Sequence, residues 1–248
     1  MNRIARYATI AGAALGVAGP VAPALAQADA RATVAIMFFD NNVYSKDARD
    51  YDGLSKGIAD FLITEMSMNP GVRLLERSQV QKVVDEQKLV AGNPVDRETA
   101  VRLGKLLGAD HMIFGGYTSD ASGNVRIDAR AVAVEQGVIE YSERLHARAD
   151  DVMALAARVA RRLNAGMHLP PMASRSGDAG GAAVAQQAGE PAGASNLPMK
   201  YVVMYGRALD LADRGEKGRA IELLGAVLKE YPNFEPARKA RARLTSGV

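Results

Sequence analysis

The first part of the chain shows two successive patterns of apolar positions, and together they predict a strand followed by a helix. Residues 32–40 form a short apolar run rich in β-forming side chains, which is typical of a buried strand. From Leu54 to Met66 the apolar residues fall at helical spacing, and the Asn-Pro-Gly at residues 69–71 ends that pattern. We expect an exposed polar loop over residues 40–52 to join the strand to the helix.

The next stretch predicts a second strand and two more helices. Residues 72–75 form a short strand, and Ser78 with Gln81 fits a capping-box pair at the start of a helix. Asp96 is a candidate N-cap for a third helix. Gly108 suits a left-handed end of that helix, because glycine adopts this conformation without a steric penalty.

Residues 111–167 predict three strands and a closing helix. Residues 111–117 are mostly apolar, residues 125–131 alternate apolar with charged side chains, and residues 138–147 form the return strand of a hairpin. An apolar stripe at helical spacing follows over residues 152–163. The resulting order, β-α-β-α-α-β-β-β-α, predicts an α+β domain in which one layer of helices packs on a mixed β-sheet.

The composition changes twice beyond this domain. Residues 169–196 are rich in Gly, Ala, Ser and Gln and have almost no large apolar side chain, which predicts a disordered linker. Residues 197–248 return to helical periodicity and predict a small all-α tail. The four predicted parts are a signal peptide at 1–28, an α/β domain at 29–168, the linker at 169–196 and the tail at 197–248.

The N-terminal residues predict export from the cytoplasm. Arg3 and Arg6 precede an uncharged apolar run at residues 8–18, and Ala26-Gln27-Ala28 forms a small-x-small cleavage site. The run is shorter than the ~20 apolar residues that span a bilayer, so we expect a cleaved signal peptide and no stable membrane anchor. The chain has no cysteine for a disulfide or a lipid anchor. We therefore expect a periplasmic protein, for which association with the outer membrane is an option.

The net charge does not support a nucleic-acid partner. Removing the two leader arginines from the 31 basic residues leaves 29, against 28 acidic residues. The basic stretch at residues 238–243 is interpreted as a solvated helix face that suits an acidic partner. We expect other envelope proteins as partners, or further copies of this chain in a homo-oligomer, and no nucleic acid.

Few residues indicate chemistry. The three histidines do not stand at metal-ligand spacing. Asp40, Asp47, Asp50 and Asp52 could converge on a cation or catalytic site, or they could form a charged loop that keeps the strand end hydrated. No nucleophile elbow, Walker loop or dinucleotide fingerprint occurs. We therefore expect a protein that is not an enzyme and that uses no cofactor and no metal.

Three segments carry a resemblance to a known family. They are Leu-Leu-Glu-Arg-Ser-Gln-Val at residues 74–80, Glu-Thr-Ala at 98–100 and Leu-Gly-Lys-Leu-Leu-Gly-Ala-Asp at 103–110. In these segments, and over about residues 32–167, the chain resembles the CsgG family of curli assembly and transport components. The resemblance implies a CsgG/TolB N-terminal-like fold. The same residues also have structural roles, because they end strands and begin or end helices.

The resemblance also implies a function. Members of this family form the secretion pore for curli fibres or act in surface attachment, flagellar assembly or cell-wall synthesis, and they bind other proteins rather than catalyse. This chain lacks their lipidated cysteine and a pair of long strands that could line a pore. We therefore expect a soluble periplasmic interaction module, an accessory to assembly or export of a cell-surface or outer-membrane structure and not itself a pore. The alternatives are a regulator or activator of cell-wall synthesis through protein contacts, and an oligomeric outer-membrane secretion component.

The tail resembles a tetratricopeptide repeat (TPR). Small residues at Ala208 and Ala220 would let two helices pack closely, with Gly215 at the turn between them and Pro232 at the end of the second helix. One such repeat does not normally stand alone, so we expect it to dock on the first domain, on another subunit or on a partner. The candidate partner-binding residues are Met204, Arg207, Ala208, Leu211, Arg238, Lys239 and Arg241.

Overall fold

The computed structural model of the protein describes residues 29–46, 48–87, 95–120, 123–172 and 197–246. The predicted signal peptide at 1–28 and residues 173–196 of the predicted linker lie outside the described residues. The chain divides into two units, Met1–Ala30 and Arg31–Val248, and every element below belongs to the second unit.

Six strands and seven α-helices make up the described part of the chain. The strands are β1 (Ala32–Ile36), β2 (Asp40–Asn41), β3 (Val72–Leu74), β4 (His111–Ser119), β5 (Asn124–Ala133) and β6 (Val138–Arg148). The helices are α1 (Gly53–Met66), α2 (Arg77–Glu86), α3 (Arg97–Leu107), α4 (Val152–Gly166), α5 (Met199–Asp213), α6 (Lys217–Glu230) and α7 (Glu235–Ser246). Two short 3₁₀ helices, Ala48–Tyr51 and Ala149–Asp151, precede α1 and α4.

The strands form one mixed sheet in the order β3-β1-β4-β5-β6, and the short strand β2 also pairs with β4. Strands β3, β1 and β4 are parallel, whereas β4, β5 and β6 form antiparallel pairs. This arrangement confirms the predicted α+β class with a mixed sheet.

The prediction of a single helical layer is wrong, because helices cover both faces of the sheet. One buried cluster joins β1 and β5 to α1 and α4, with Leu62 and Leu155 among its members. A second cluster joins β1 and β4 to α2 and α3 on the opposite face, with Val80 and Leu103 among its members. The parallel strands require crossover helices on both sides, and their short apolar runs are buried on both faces as a consequence.

Helix ends agree with the sequence at α3 and differ at α2. Asp96 caps α3 by accepting a hydrogen bond from the Thr99 amide at 2.8 Å, and Gly108 ends the helix with a φ of 62°. Helix α2 begins at Arg77 with Glu76 as its N-cap, and Gln79 Oε1 accepts from the Glu76 amide at 3.1 Å. The observed capping box consists of Glu76 and Gln79, and it lies two residues before the predicted pair of Ser78 and Gln81.

The first residues of the predicted linker contact the domain. The Pro170 carbonyl accepts hydrogen bonds from the amide side chains of Asn69 at 2.6 Å and Asn164 at 3.0 Å. Leu169 is partly buried against the main core. These contacts hold the chain against the turn before β3 as far as residue 170.

The helical tail packs on α1, and glycine makes the approach close. A Cβ on Gly206 of α5 would overlap the backbone carbonyl of Gly53 on α1, and a Cβ on Gly53 would overlap the carbonyl of Val203. The rings of Phe61 and Tyr205 stack at 5.7 Å across this contact. Tail residues therefore belong to the same buried cluster as α1 and α4.

Each helix in the described part of the chain is either too short or too polar to span a lipid bilayer.

We predict that Gly206→Ala weakens the fold where α5 crosses α1. The added methyl group must push the two helices apart, which should lower the free energy of unfolding by about 3 kcal/mol. Gly225→Ala is the matched control, because no atom lies within 4 Å of a Cβ at that helical position. The control should gain up to about 1 kcal/mol from helix propensity. Urea denaturation of both variants measures the difference, and equal stabilities would contradict the packing described here.

Candidate functional site

A crevice of about 590 Å³ opens beyond the C-terminal end of β1. Strand β3 lies on one side of β1 and strand β4 on the other, so the connections that leave this end of the sheet run in opposite directions. This end is therefore a topological switch point. Ligands bind outside the strand ends at such points in open α/β sheets. The walls come from residues 38–42, from Ala48, Arg49 and Asp52, and from three helices: the first turn of α1, the second half of α2 and the C-terminal half of α5.

Asn41 holds the loop after β1 in place. Its Nδ2 group donates to the Ala48 carbonyl and to Asp52 Oδ1, both at 2.8 Å, and its Oδ1 accepts from the Val43 amide at 3.1 Å. Asp40 Oδ2 accepts from the Val95 amide at 3.0 Å. Burial raises the pKa of Asp40, and the hydrogen bond from Val95 opposes that shift.

The predicted convergence of acidic residues is partial. Asp40 and Asp52 line the crevice, whereas Asp50 is highly exposed and is absent from its lining. Asp47 lies outside the described residues. No group of three or more His, Cys, Asp or Glu within the described ranges is arranged to hold a metal ion.

Ion pairs tie the α5 wall of the crevice to α1 and α2. Lys56 of α1 bridges Asp210 at 3.0 Å and Asp213 at 2.7 Å. Arg77 of α2 contacts Asp213 as well, and Arg214 pairs with Asp210 at 2.7 Å within the tail. The two tail carboxylates are therefore paired with cations, and three helices are linked through them.

A buried hydrogen bond lies deeper, at the α1–α5 contact. The Tyr205 hydroxyl donates to Asp60 Oδ2 at 2.5 Å, and both side chains are buried. Burial raises the pKa of Asp60, while the bond from Tyr205 and the positive charge of Arg77 lower it. The pKa of Tyr205 is raised by burial and by the charge of Asp60. These groups face the tail interface and are absent from the crevice lining, so their role is structural.

The structure does not bring the seven predicted partner-binding residues together. Ala208 is fully buried and Met204 is partly buried, both in the core between tail and domain, so neither presents an open surface. Leu211 is half-buried. Arg207 is exposed, lines the crevice, and donates to the carbonyls of Arg49 at 3.2 Å and Asp50 at 3.4 Å.

The basic candidates lie apart from the crevice, on α7. Arg238 and Lys239 are exposed and pair with Glu235 of the same helix at 3.5 Å and 3.8 Å. Arg241 is exposed as well. Of the seven predicted residues, the crevice lining includes Arg207 alone.

Sequence reasoning gave Arg77 only a structural role within the segment 74–80, and it missed Lys56, Asp210 and Asp213. In the sequence, each of these three residues looks like an ordinary solvated charge on a helix, because the neighbouring residues do not indicate that α5 packs against α1. The available signal was a set of small residues at helical spacing, Gly53 and Gly57 on α1 with Gly206 on α5, which permits two helices to approach closely.

A family comparison covers the first part of this architecture. The model of the curli production assembly/transport component CsgG matches residues 22–119 of the chain. The match ends with β4, so it includes the strand ends that border the crevice. The hairpin of β5 and β6, α4 and the tail lie beyond it, although the sequence resemblance extended to about residue 167. The TPR-like interpretation of the tail stays a prediction.

Comparison with solved structures finds low-identity neighbours. The LpoB C-terminal domain from Salmonella enterica has 12% sequence identity and a TM-score of 0.37, with 47% of this chain and 82% of that chain covered. Lipoprotein GNA1162 from Neisseria meningitidis has 15% identity and a TM-score of 0.37, with 47% and 80% covered. TolB from Acinetobacter baumannii has 11% identity and a TM-score of 0.39, with 55% and 28% covered. A search of curated proteins finds no significant match.

We predict that Tyr205→Phe lowers the free energy of unfolding by about 1–3 kcal/mol, because it leaves the buried Asp60 carboxyl without its hydrogen-bond donor. Tyr44→Phe is the matched control, since Tyr44 is 96% exposed and should change stability very little. Thermal and urea denaturation measure both variants. A Tyr205→Phe protein as stable as the control would show that the bond contributes nothing.

We also predict a pH dependence that originates at Asp60. The pKa of Asp60 is raised in the folded state, so the folded protein binds this proton more tightly than the unfolded chain does. The proton therefore adds to the free energy of unfolding at low pH, and this contribution is lost as pH rises above about 4. Asp60→Asn removes this dependence. The stability of the unmodified protein minus that of Asp60→Asn should therefore fall with rising pH and then level off.

Urea denaturation between about pH 4 and 8 measures this difference. Asp50→Asn, on the exposed 3₁₀ helix before α1, controls for the loss of one negative charge. A difference for Asp60→Asn that stays constant or rises with pH would contradict the assignment.

Proposed function

We propose that this chain is a non-enzymatic protein-interaction module of the cell envelope, an accessory to the assembly or export of a surface or outer-membrane structure. The observation that carries the proposal is the CsgG family match over residues 22–119, which includes the strand ends at the crevice. The matching family model is named for the assembly and transport of curli, so a role in contacts between envelope proteins agrees with it.

The crevice supports a binding role because two parts of the chain build it. Residues 38–42 and α1 come from the sheet domain, while Arg207, Asp210 and Arg214 come from the tail. A partner seated there would contact both parts at once. Its lining carries side chains of both signs of charge, which suits a polar protein segment better than an apolar small molecule.

The pairing of charges supports a role in binding rather than in catalysis. Asp52 accepts from Asn41, and Asp210 and Asp213 pair with Lys56. A general acid or base must reach a proton on a substrate, and carboxylates in structural pairs are poorly placed for this. This pairing supports the non-enzymatic part of the proposal for Asp52, Asp210 and Asp213.

The proposed location is the periplasm, with the N-terminal 28 residues acting as a cleaved signal peptide. This part of the proposal rests on the sequence, since those residues lie outside the described ranges. The family resemblance leaves a second role open, which is regulation of cell-wall synthesis through protein contacts. The two roles differ in their cellular readouts, so one set of strains distinguishes them.

We predict that crevice variants lose envelope partners while they keep the fold. The full chain carries a C-terminal affinity tag in a deletion strain of its own host, and cross-linked partners are identified from the envelope fraction by mass spectrometry. Arg207→Glu with Arg214→Glu should deplete specific envelope proteins about tenfold, because both side chains line the crevice. Arg219→Glu, an exposed arginine of α6, is the matched control.

The same strains test the cellular role. Loss of surface fibres or of an outer-membrane structure supports the export role, and altered labelling of new cell wall supports the alternative. A monomeric protein that enriches no envelope component, in cells with normal surface structures and normal wall labelling, would contradict the proposed function.

A further inference from the structure

The helices on the α2 and α3 side cover only half of the sheet. Their buried side chains pack on β1 and β4 and reach β5 no further than Val132 and Val134 near its end. Along the rest of this face, alternate side chains of β5 and β6 point away from the core. The positions are Asn124, Arg126, Asp128 and Arg130 on β5, and Ser142, Arg144, His146 and Arg148 on β6.

This open face concentrates positive charge. We call Arg126, Arg130, Arg144, His146 and Arg148, which are all exposed, the arginine ladder. Asp128 is the one carboxylate among the eight positions, and both Arg126 and Arg144 contact it.

Cross-strand pairing sets only one arginine of the ladder, Arg144, opposite a carboxylate, Asp128. Arg126 lies directly opposite His146, and Arg148 lies opposite the uncharged Asn124. Arg130 lies opposite Ser142, so the four arginines of the ladder face a single carboxylate and the surface keeps a net positive charge. Since the whole chain is close to balanced in charge, its composition does not account for this concentration.

The ladder stands beside an open strand edge. Strand β6 is the last strand of the sheet and, among the described residues, pairs with β5 and with no other strand. The pairing of β5 with β6 shifts where Ala131 faces Tyr141 and Val132 faces Ile139. Glu140 is therefore the extra residue of a β-bulge, which interrupts the regular backbone hydrogen bonds between the two strands. The regular edge therefore runs over residues 141–148, where alternate backbone groups face outward. One carbonyl in this stretch, that of His146, accepts a hydrogen bond from Arg158 of α4 at 3.4 Å.

We propose that this edge binds an extended acidic segment of another envelope protein, which adds to β6 as a further strand. Main-chain hydrogen bonds to the edge would supply affinity, and acidic side chains on the ladder side would form ion pairs with its exposed arginines. This inference concerns a surface apart from the crevice and does not depend on it.

A second copy of this chain does not fit the edge. Basic side chains and a bulge are the features by which edge strands avoid pairing with copies of themselves. Two β6 strands side by side would bring together two sets of Arg144, His146 and Arg148. The same features favour an acidic strand, because its charges are complementary.

The spacing on the ladder favours a protein strand over other polyanions. Side chains on one face of a strand repeat at roughly 6.6–6.8 Å, so an added strand with an acidic residue at every second position keeps pace with β6. At the end nearest the bulge, Ile139 is 43% exposed. An apolar residue at the matching end of the acidic segment would contact this spot.

The test uses the full mature chain and a short synthetic peptide in which glutamate alternates with valine or threonine. Fluorescence anisotropy at low salt measures its Kd, and hydrogen exchange measures protection of the amides at 141–148. We expect binding that weakens with added salt, together with slower exchange at this edge. Arg144→Glu with Arg148→Glu should raise the Kd at least about tenfold.

Controls separate edge pairing from simple charge attraction. Arg219→Glu should leave the Kd within about twofold of the original, since Arg219 lies on α6. Arg144→Ser with Arg148→Ser repeats the measurement if charge reversal disturbs the fold. A peptide of the same composition with its glutamates grouped at one end should bind more weakly and give no amide protection.

Several results would overturn the proposal. One is absence of peptide binding, and another is a Kd that the ladder variants leave unchanged. Equal binding of the grouped peptide without amide protection would reduce the surface to a general anion site. Binding of phosphatidylglycerol vesicles or duplex DNA through the same arginines, without binding of the peptide, would assign the surface to a different class of ligand.

Discussion

The contact between α1 and α5 is the constraint on which the rest of the described structure depends. Gly53 and Gly206 allow the two backbones to meet, and this closeness brings the Tyr205 hydroxyl within 2.5 Å of Asp60. An unpaired carboxylate would be costly at that depth, so the hydrogen bond and the nearby Arg77 make the burial tolerable. The close backbone approach and the buried polar pair therefore depend on each other.

This contact also determines the form of the crevice. Because α5 lies against α1, Asp210 and Asp213 come within reach of Lys56, and Arg207 comes within reach of the loop before α1. The tail thus supplies one wall of a cleft whose other walls belong to the sheet domain. Without the docked tail, the strand ends at β1 would border open solvent on that side.

Local signals predicted the local structure and failed where distant parts of the chain meet. The αL glycine at Gly108 and the cap at Asp96 were predictable, because each depends on a few neighbouring residues. The second helical layer was missed, since an apolar stripe shows that a helix face is buried but not which side of the sheet buries it. Ala208 was assigned to a partner surface although it is buried, because a small apolar residue suits an internal and an external helix contact equally well.

The exposed half of the sheet follows from the way the chain connects its strands. Strands β1, β3 and β4 are parallel and need crossover helices, which cover both faces of that half. Strands β4, β5 and β6 are joined directly as hairpins, and α4 then returns to the α1 side. Among the described residues, the second buried cluster reaches this face of the hairpin only at Val132 and Val134, so most side chains beyond it are exposed or half-buried. The fold requires these positions to be polar but does not require them to be arginine, and their identity is therefore open to selection for binding.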